Sequence, residues 1–256
     1  MIEGLARLLD LTQAGMAAWI LVFARVGAVM ALLPGFGEHF IPARVKLGAA
    51  IALTLVVAPL AAPAVDPGRP FFLLMLIEAG AGLMLGLALR LMVLALQLAG
   101  SIAAQSTALA QIFGAGATPD PMPAIGNILM LAGVTLAVAG DLHVKAAVMI
   151  ARSYEILPIG APLPGSDLLT WGAGRVAMAF GLGFSLAAPF VIAAFAYNVA
   201  LGAINRAMPQ LMVSFIGAPA ITAFSILLLM LAAPLILMTW TGRLDQVLAD
   251  PLSIAR

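Results

Sequence analysis

Two stretches of this chain carry no charge at all: residues 176–197 and residues 211–240. Each reaches or exceeds the ~20 apolar residues that take a helix across a hydrocarbon layer. Between them lies Ala203-Ile204-Asn205-Arg206-Ala207-Met208-Pro209-Gln210, a knot of hydrogen-bonding and helix-breaking residues. Hydrocarbon cannot solvate a guanidinium, and an arginine at bilayer centre costs roughly 2.5–3.5 kcal/mol on insertion scales. Arg206 therefore has to reach an interface, an anionic partner or a polar protein surface. The pattern calls for two long apolar helices joined by a polar hinge.

Composition sets the class. The chain is 64% hydrophobic and 9% charged, with mean hydropathy +1.15. Soluble domains run near a quarter charged, which argues against a soluble globular fold and for a polytopic membrane protein, or a protein buried among others like it. A net charge of +1 leaves no electrostatic footprint for nucleic acid. With no cysteine there is no disulfide, thiolate metal site or cysteine nucleophile. At the N-terminus, Glu3, Arg7 and Asp10 do not make the basic start of a signal peptide, and residues 11–33 are too long for its apolar core. A retained first membrane helix is expected there, ended by Pro34-Gly35.

A second apolar run covers residues 47–65, after a polar loop at 38–46. The third begins at Phe71 and meets no clear breaker until Gly114. As one helix it would measure about 60 Å, against a hydrocarbon core of ~30 Å. Glu78, Arg90, Gln97, Gln105 and Gln111 interrupt it. Polar residues that recur without a compact loop sequence argue for one helix running alongside other protein, rather than a break near Gly100-Ser101. Residues 114–123, with three prolines and two glycines, cannot be helix or central strand. They read as an external loop, or as a non-helical segment lining a cavity, which membranes tolerate only where protein or water satisfies the backbone. The residues alone favour the loop.

Over residues 124–157, Asp141, Lys145, Arg152 and Glu155 fall on one stripe at ~100° per residue, with Asp141–Lys145 and Arg152–Glu155 as pairs within one helix. Pro158, Gly160, Pro162, Pro164 and Gly165 make the clearest linker. Beyond it a helical hairpin is expected: residues 166–204 with a kink at Pro189, then residues 219–242 with Pro219 in the first turn and a kink at Pro234.

Catalytic signals are absent. Ala139-Gly140-Asp141 lacks the first glycine of a Gly-x-Gly-Asp motif, and Gly183-Phe184-Ser185-Leu186 lacks the last of Gly-x-Ser-Gly. His39 and His143 have no carboxylate pattern for zinc. No catalytic residue, cofactor or metal is therefore assigned. Gly82-x-x-x-Gly86 is a close-approach motif, within the chain or towards another subunit. Arg25, Glu78 and Arg90 are the buried-charge candidates. Pairing Glu78 with an arginine, most simply Arg25, lowers their burial cost and favours an assembly role over a proton relay.

The most specific stretch is Asn205-Arg206-Ala207-Met208-Pro209-Gln210, followed by Val213 and Ile216-Gly217-Ala218-Pro219. It is accompanied in order by Phe23-x-Arg25, Pro34-Gly35-x-Gly37, Pro42 with Lys46, Glu78 with Gly82 and Gly86, Asp120-Pro121 and Leu157-Pro158-Ile159-Gly160. Over essentially the whole length the chain resembles the FliR family of flagellar type III export-gate proteins, with injectisome relatives. The resemblance implies an all-α export-gate fold of long kinked helices: a FliP-like part at 1–160 and a FliQ-like hairpin at 161–256 with its turn at about 205–218. It implies one subunit of a FliP–FliQ–FliR core that passes unfolded flagellar subunits across the inner membrane at the flagellar basal body. Much of that assembly stands above the membrane plane. It reverses the reading of residues 113–123, which become a channel plug carrying Phe113, Gly114, Gly116, Pro119, Asp120, Pro121 and Met122. Asn205, Arg206, Met208, Pro209 and Gln210 would sit at the cytoplasmic entrance near FlhB. FlhA, the basal-body ring and membrane lipid complete the implied partners; no nucleic acid and no cofactor are implied. The rival from another class is a stand-alone small-solute or ion transporter. That would call for paired repeats with matching broken helices, and the two halves differ in length and pattern.

Overall fold

The apolar periodicity resolves into seven helices among the described residues: α1 (Ile2–Leu32), α2 (Ala43–Ala61), α3 (Phe71–Ile112), α4 (Ala124–Ala139), α5 (Leu142–Ile156), α6 (Gly165–Ala207) and α7 (Val213–Ala249). The computed structural model describes residues 2–38, 41–61, 69–112, 124–162, 164–207 and 213–253, and no strand occurs among them. Five helices are long and apolar enough to cross a membrane, or six if α4 and α5 count as one broken span. The fold is all-α, as the long apolar runs and the family resemblance led one to expect.

Helix ends follow local chemistry. After α1, the N–H of Gly37 donates to the carbonyl of Leu33 at 2.7 Å, and Gly35 takes φ +83°, a left-handed turn that glycine adopts without strain. α1 begins nine residues before the apolar run does, because Glu3, Arg7 and Asp10 are compatible with helix although not with lipid. α2 likewise takes in Arg44 and Lys46 at its start, and Lys46 donates to the carbonyl of Gly37 at 3.1 Å. α3 is continuous over 42 residues, about 63 Å at ~1.5 Å per residue, so the long run does not break at Gly100.

Two expectations need correction. The stripe over 124–157 does not lie on one helix: the chain breaks at Gly140-Asp141, where Asp141 adopts φ +60°. Lys145 pairs with Asp245 at 2.7 Å rather than with Asp141, whose carbonyl accepts the N–H groups of Val144 and Lys145. The hinge is also narrower than expected. Residues 205–207 close α6 and 213–218 already belong to α7, which leaves 208–212 outside the described residues. Pro219 therefore lies in the second turn of α7 rather than the first.

Two compact units interleave along the chain. The first comprises Met1–Leu91, Ala137–Arg175 and Leu244–Arg256; the second, Met92–Leu136 and Val176–Arg243. In the first, Leu21, Val22, Val26, Val29 and Met30 of α1 are buried with Leu74, Ala81 and Leu85 of α3 and Met149 and Ile150 of α5. In the second, Trp240 is fully buried and its indole N–H donates to the carbonyl of Met92 at 2.7 Å. Gly100 and Gly126 let α3 and α4 approach there: a Cβ on Gly100 would overlap the Cα of Gly126.

Candidate functional site: a buried arginine and glutamate joining three helices

Among the described side chains of α1 the buried positions are 18, 21, 22, 25, 26, 29 and 30, a stripe of threes and fours that turns Arg25 inward. On α3 the same spacing through Leu74, Glu78, Ala81 and Leu85 does so for Glu78. The two side chains meet in a fork. Arg25 Nε donates to Glu78 Oε2 at 2.8 Å and Nη2 to Oε1 at 3.1 Å, with 1% and 0% of the side chains exposed. A bidentate guanidinium–carboxylate contact is among the stronger and more directional hydrogen-bonded pairs in proteins.

α5 supplies the rest of the cage. Arg25 Nη1 donates to Ser153 Oγ at 3.0 Å, and that hydroxyl donates onward to the carbonyl of Ile150 at 2.6 Å. Arg25 Nη2 also donates to the carbonyl of Leu157 at 2.8 Å, and the Tyr154 ring lies with its centroid 3.7 Å from the guanidinium carbon. After α5 the chain turns at Gly160 (φ +73°), whose N–H donates to Glu78 Oε1 at 3.1 Å and whose carbonyl accepts from Arg69. Both carboxylate oxygens are thus occupied. The arrangement ties α1, α3, α5 and the following linker together; it does not present a reactive group to a substrate.

Gly82 and Gly86 make this meeting geometrically possible. A Cβ on Gly82 would overlap the carbonyl oxygen of Arg25 and come within 2.8 Å of Ala28 Cβ; one on Gly86 would lie 2.9 Å from Leu32 Cβ. Their close approach is to α1 of the same chain. Arg90 stands apart from the cluster: it is half-buried and pairs with Glu38.

Sequence reasoning missed a second buried arginine. Arg175, 3% exposed on α6, donates from Nη2 to the carbonyls of Asp250 at 3.1 Å, Pro251 at 2.8 Å and Ser253. Trp171, one turn earlier, donates its indole N–H to the Pro251 carbonyl at 3.2 Å. A guanidinium at the carbonyl-rich end of α7 meets the negative end of that helix dipole. The signal was available: Trp171, Arg175 and Ala179 recur every four residues on the buried face of α6.

The other expected site residues lie elsewhere. Asn205 and Arg206 are exposed on the last turn of α6, where a cation also suits the helix C-terminus. Met208, Pro209 and Gln210, and the whole segment 113–123 with Phe113, Gly114, Gly116, Pro119, Asp120, Pro121 and Met122, lie outside the described residues. Among the described residues no group of three or more His, Cys, Asp or Glu side chains is placed to hold a metal ion.

With that geometry in place, the likeness to known proteins becomes interpretable. Residues 16–247 match the model of the family described as "Bacterial export proteins, family 1". The flagellar biosynthetic protein FliR of Caulobacter vibrioides is 35% identical over 89% of this chain and 93% of its own length. That of Escherichia coli K12 is 29% identical over 90% of each chain, and that of Bacillus subtilis 27% over 86% and 87%. The matched region takes in every residue of the Arg25–Glu78 cage, all of α6 and nearly all of α7. The chain therefore belongs to the FliR family of bacterial export proteins.

Proposed function

We propose that this protein is the FliR-type subunit of the flagellar type III export gate, assembled with FliP-like and FliQ-like chains into a channel for unfolded flagellar subunits. The observation that carries the reading is the likeness to FliR relatives along nearly the full chain. Membership of the family makes the chain a component of the flagellar export apparatus and a structural part rather than a known enzyme. Its apolar helices of membrane-spanning length suit a place in the inner membrane.

Helix length supports an assembly in particular. α3, α6 and α7 run to about 63, 65 and 56 Å, roughly twice a hydrocarbon core. Large apolar side chains such as Phe195, Met230 and Met238 are about 70% exposed on the isolated chain. A bilayer cannot cover such lengths alone, so neighbouring subunits are the natural cover. In this reading residues 1–160 take a FliP-like role and 161–256 a FliQ-like one. Residues 113–123 plug the closed channel, and Asn205, Arg206 and the turn beyond face FlhB at the entrance.

Affinity purification of the tagged full chain from its own cells tests the reading. Co-isolation of FliP-like and FliQ-like chains is the expected result. A chain that purifies as a homo-oligomer and moves a small solute in vesicles would favour the stand-alone transporter and overturn it. Within an assembled complex, deletion of residues 114–117 should raise ion leak; an unchanged leak would remove the plug assignment alone.

A further inference from the structure

Two buried arginines in the first unit use their donors differently. Arg25 employs every nitrogen: Nε and Nη2 fork onto Glu78, Nη2 also meets the Leu157 carbonyl, and Nη1 meets Ser153. Arg175 is equally buried, but among the described residues no carboxylate touches it. Its Nη2, with two hydrogens to give, faces three carbonyls, those of Asp250, Pro251 and Ser253. Its Nε is buried and has no acceptor. A buried donor left without an acceptor is destabilising, and a buried charge without a counter-ion more so. Acceptors thus crowd one nitrogen and are missing from its neighbour on the same edge of the guanidinium, the edge that Arg25 offers to Glu78.

The missing acceptor lies close by. Asp250 already places its carbonyl 3.1 Å from Arg175 Nη2. Its carboxylate is engaged elsewhere: Oδ1 accepts the N–H of Ser253 at 3.1 Å, closing the turn after α7, and the residue is exposed. Residues 250–253 form a strap laid on α6, with a second fastening from the Trp171 indole N–H to the Pro251 carbonyl at 3.2 Å. Pro251 is buried and Leu252 half-buried.

Each placement of the Asp250 carboxylate has a cost that the other lacks. On Ser253 it stays hydrated and the strap keeps its carbonyl contacts, while Nε goes without a partner. Forked across Nε and Nη2, it would satisfy both the charge and the free donor. It would then lose its water, and the carbonyls of Pro251 and Ser253 would lose the guanidinium. Opposed costs of this kind allow two populated arrangements.

We propose that Arg175 and Asp250 form a two-position latch. In one position the strap lies on α6 through its carbonyls. In the other the Asp250 carboxylate takes the guanidinium, and residues 251–253 lift while the end of α7 stays tethered. The latch lies wholly within the first unit and is independent of the export-gate reading.

Because the chain has no native cysteine, Leu252→Cys reports on the strap. Its reaction with a bulky polyethylene-glycol maleimide is timed on the full-length chain in maltoside micelles, with circular dichroism confirming that each variant keeps its helix. Asp250→Asn retains an acceptor for the Ser253 N–H but cannot form the ionic fork. It should slow labelling about fivefold, the factor that separates a charge-assisted from a neutral hydrogen bond. Arg175→Met removes both arrangements and should speed labelling by about fivefold or more. If Asp250 only caps the turn, Asp250→Asn leaves labelling unchanged or quickens it. Either of those results, or labelling that Arg175→Met fails to quicken, overturns the proposal.

Discussion

Arg25 and Glu78 show how a charge becomes tolerable inside an apolar chain. Neither could be left alone, since a buried charge that loses its partner destabilises by about 3–5 kcal/mol, whereas an isosteric apolar pair is often neutral. Glu78→Gln and Arg25→Ala should therefore each lower the thermal stability of the purified protein by several kcal/mol, while Arg25→Met/Glu78→Leu recovers much of the loss. A double variant as unstable as the sum of the singles would refute the cage as a coupled unit. Glycines separate in the same way. Gly82→Ala drives a methyl into the Arg25 carbonyl and should cost about 1–3 kcal/mol. Gly172→Ala and Gly181→Ala, with nothing within 4 Å of the added carbon, should be neutral or stabilise by up to ~1 kcal/mol. The Glu78–Arg25 partnership was legible in the sequence because desolvation leaves an unpaired carboxylate few options. Ser153 and Tyr154 were not, because only folding brings α5 against α1.

Among elements, α3 and α4 make an asymmetric test. A Cβ on Gly100 overlaps the Gly126 backbone, whereas one on Gly126 meets the Gln97 carbonyl at 3.4 Å, an ordinary contact. Gly100→Ala should lower the melting temperature measurably and Gly126→Ala scarcely at all; equal effects would mean the two helices do not cross at these glycines. Trp240→Phe removes one hydrogen bond to the Met92 carbonyl and should cost about 0.5–1.5 kcal/mol beyond any packing change. Helix identity came from uninterrupted apolar runs, and the continuity of α3 came from polar residues that recur without a breaker. The break at Gly140-Asp141 escaped notice because one glycine before an aspartate is a weak signal.

At the scale of the molecule, the length of α3 has a direct consequence. Leu73 and Gln105 are both exposed and lie 32 residues apart, about 48 Å along the helix axis. A hydrocarbon core of ~30 Å cannot shield both. With no native cysteine, a single cysteine at each position can be read cleanly. In membranes holding the chain without its partners, at least one should react with a membrane-impermeant maleimide; protection of both would show that α3 does not cross as one straight rod. The sequence by itself determined the all-α class, the seven apolar segments less one break, and the family, because these rest on hydropathy, helix period and ordered local motifs along the chain. It also required that Glu78 find a cation. Tertiary structure alone decided that α5 and its linker close the Arg25–Glu78 cage and that Arg175 holds the end of α7. Those contacts join residues up to 132 positions apart, and no local pattern encodes which distant carbonyl a buried guanidinium will meet.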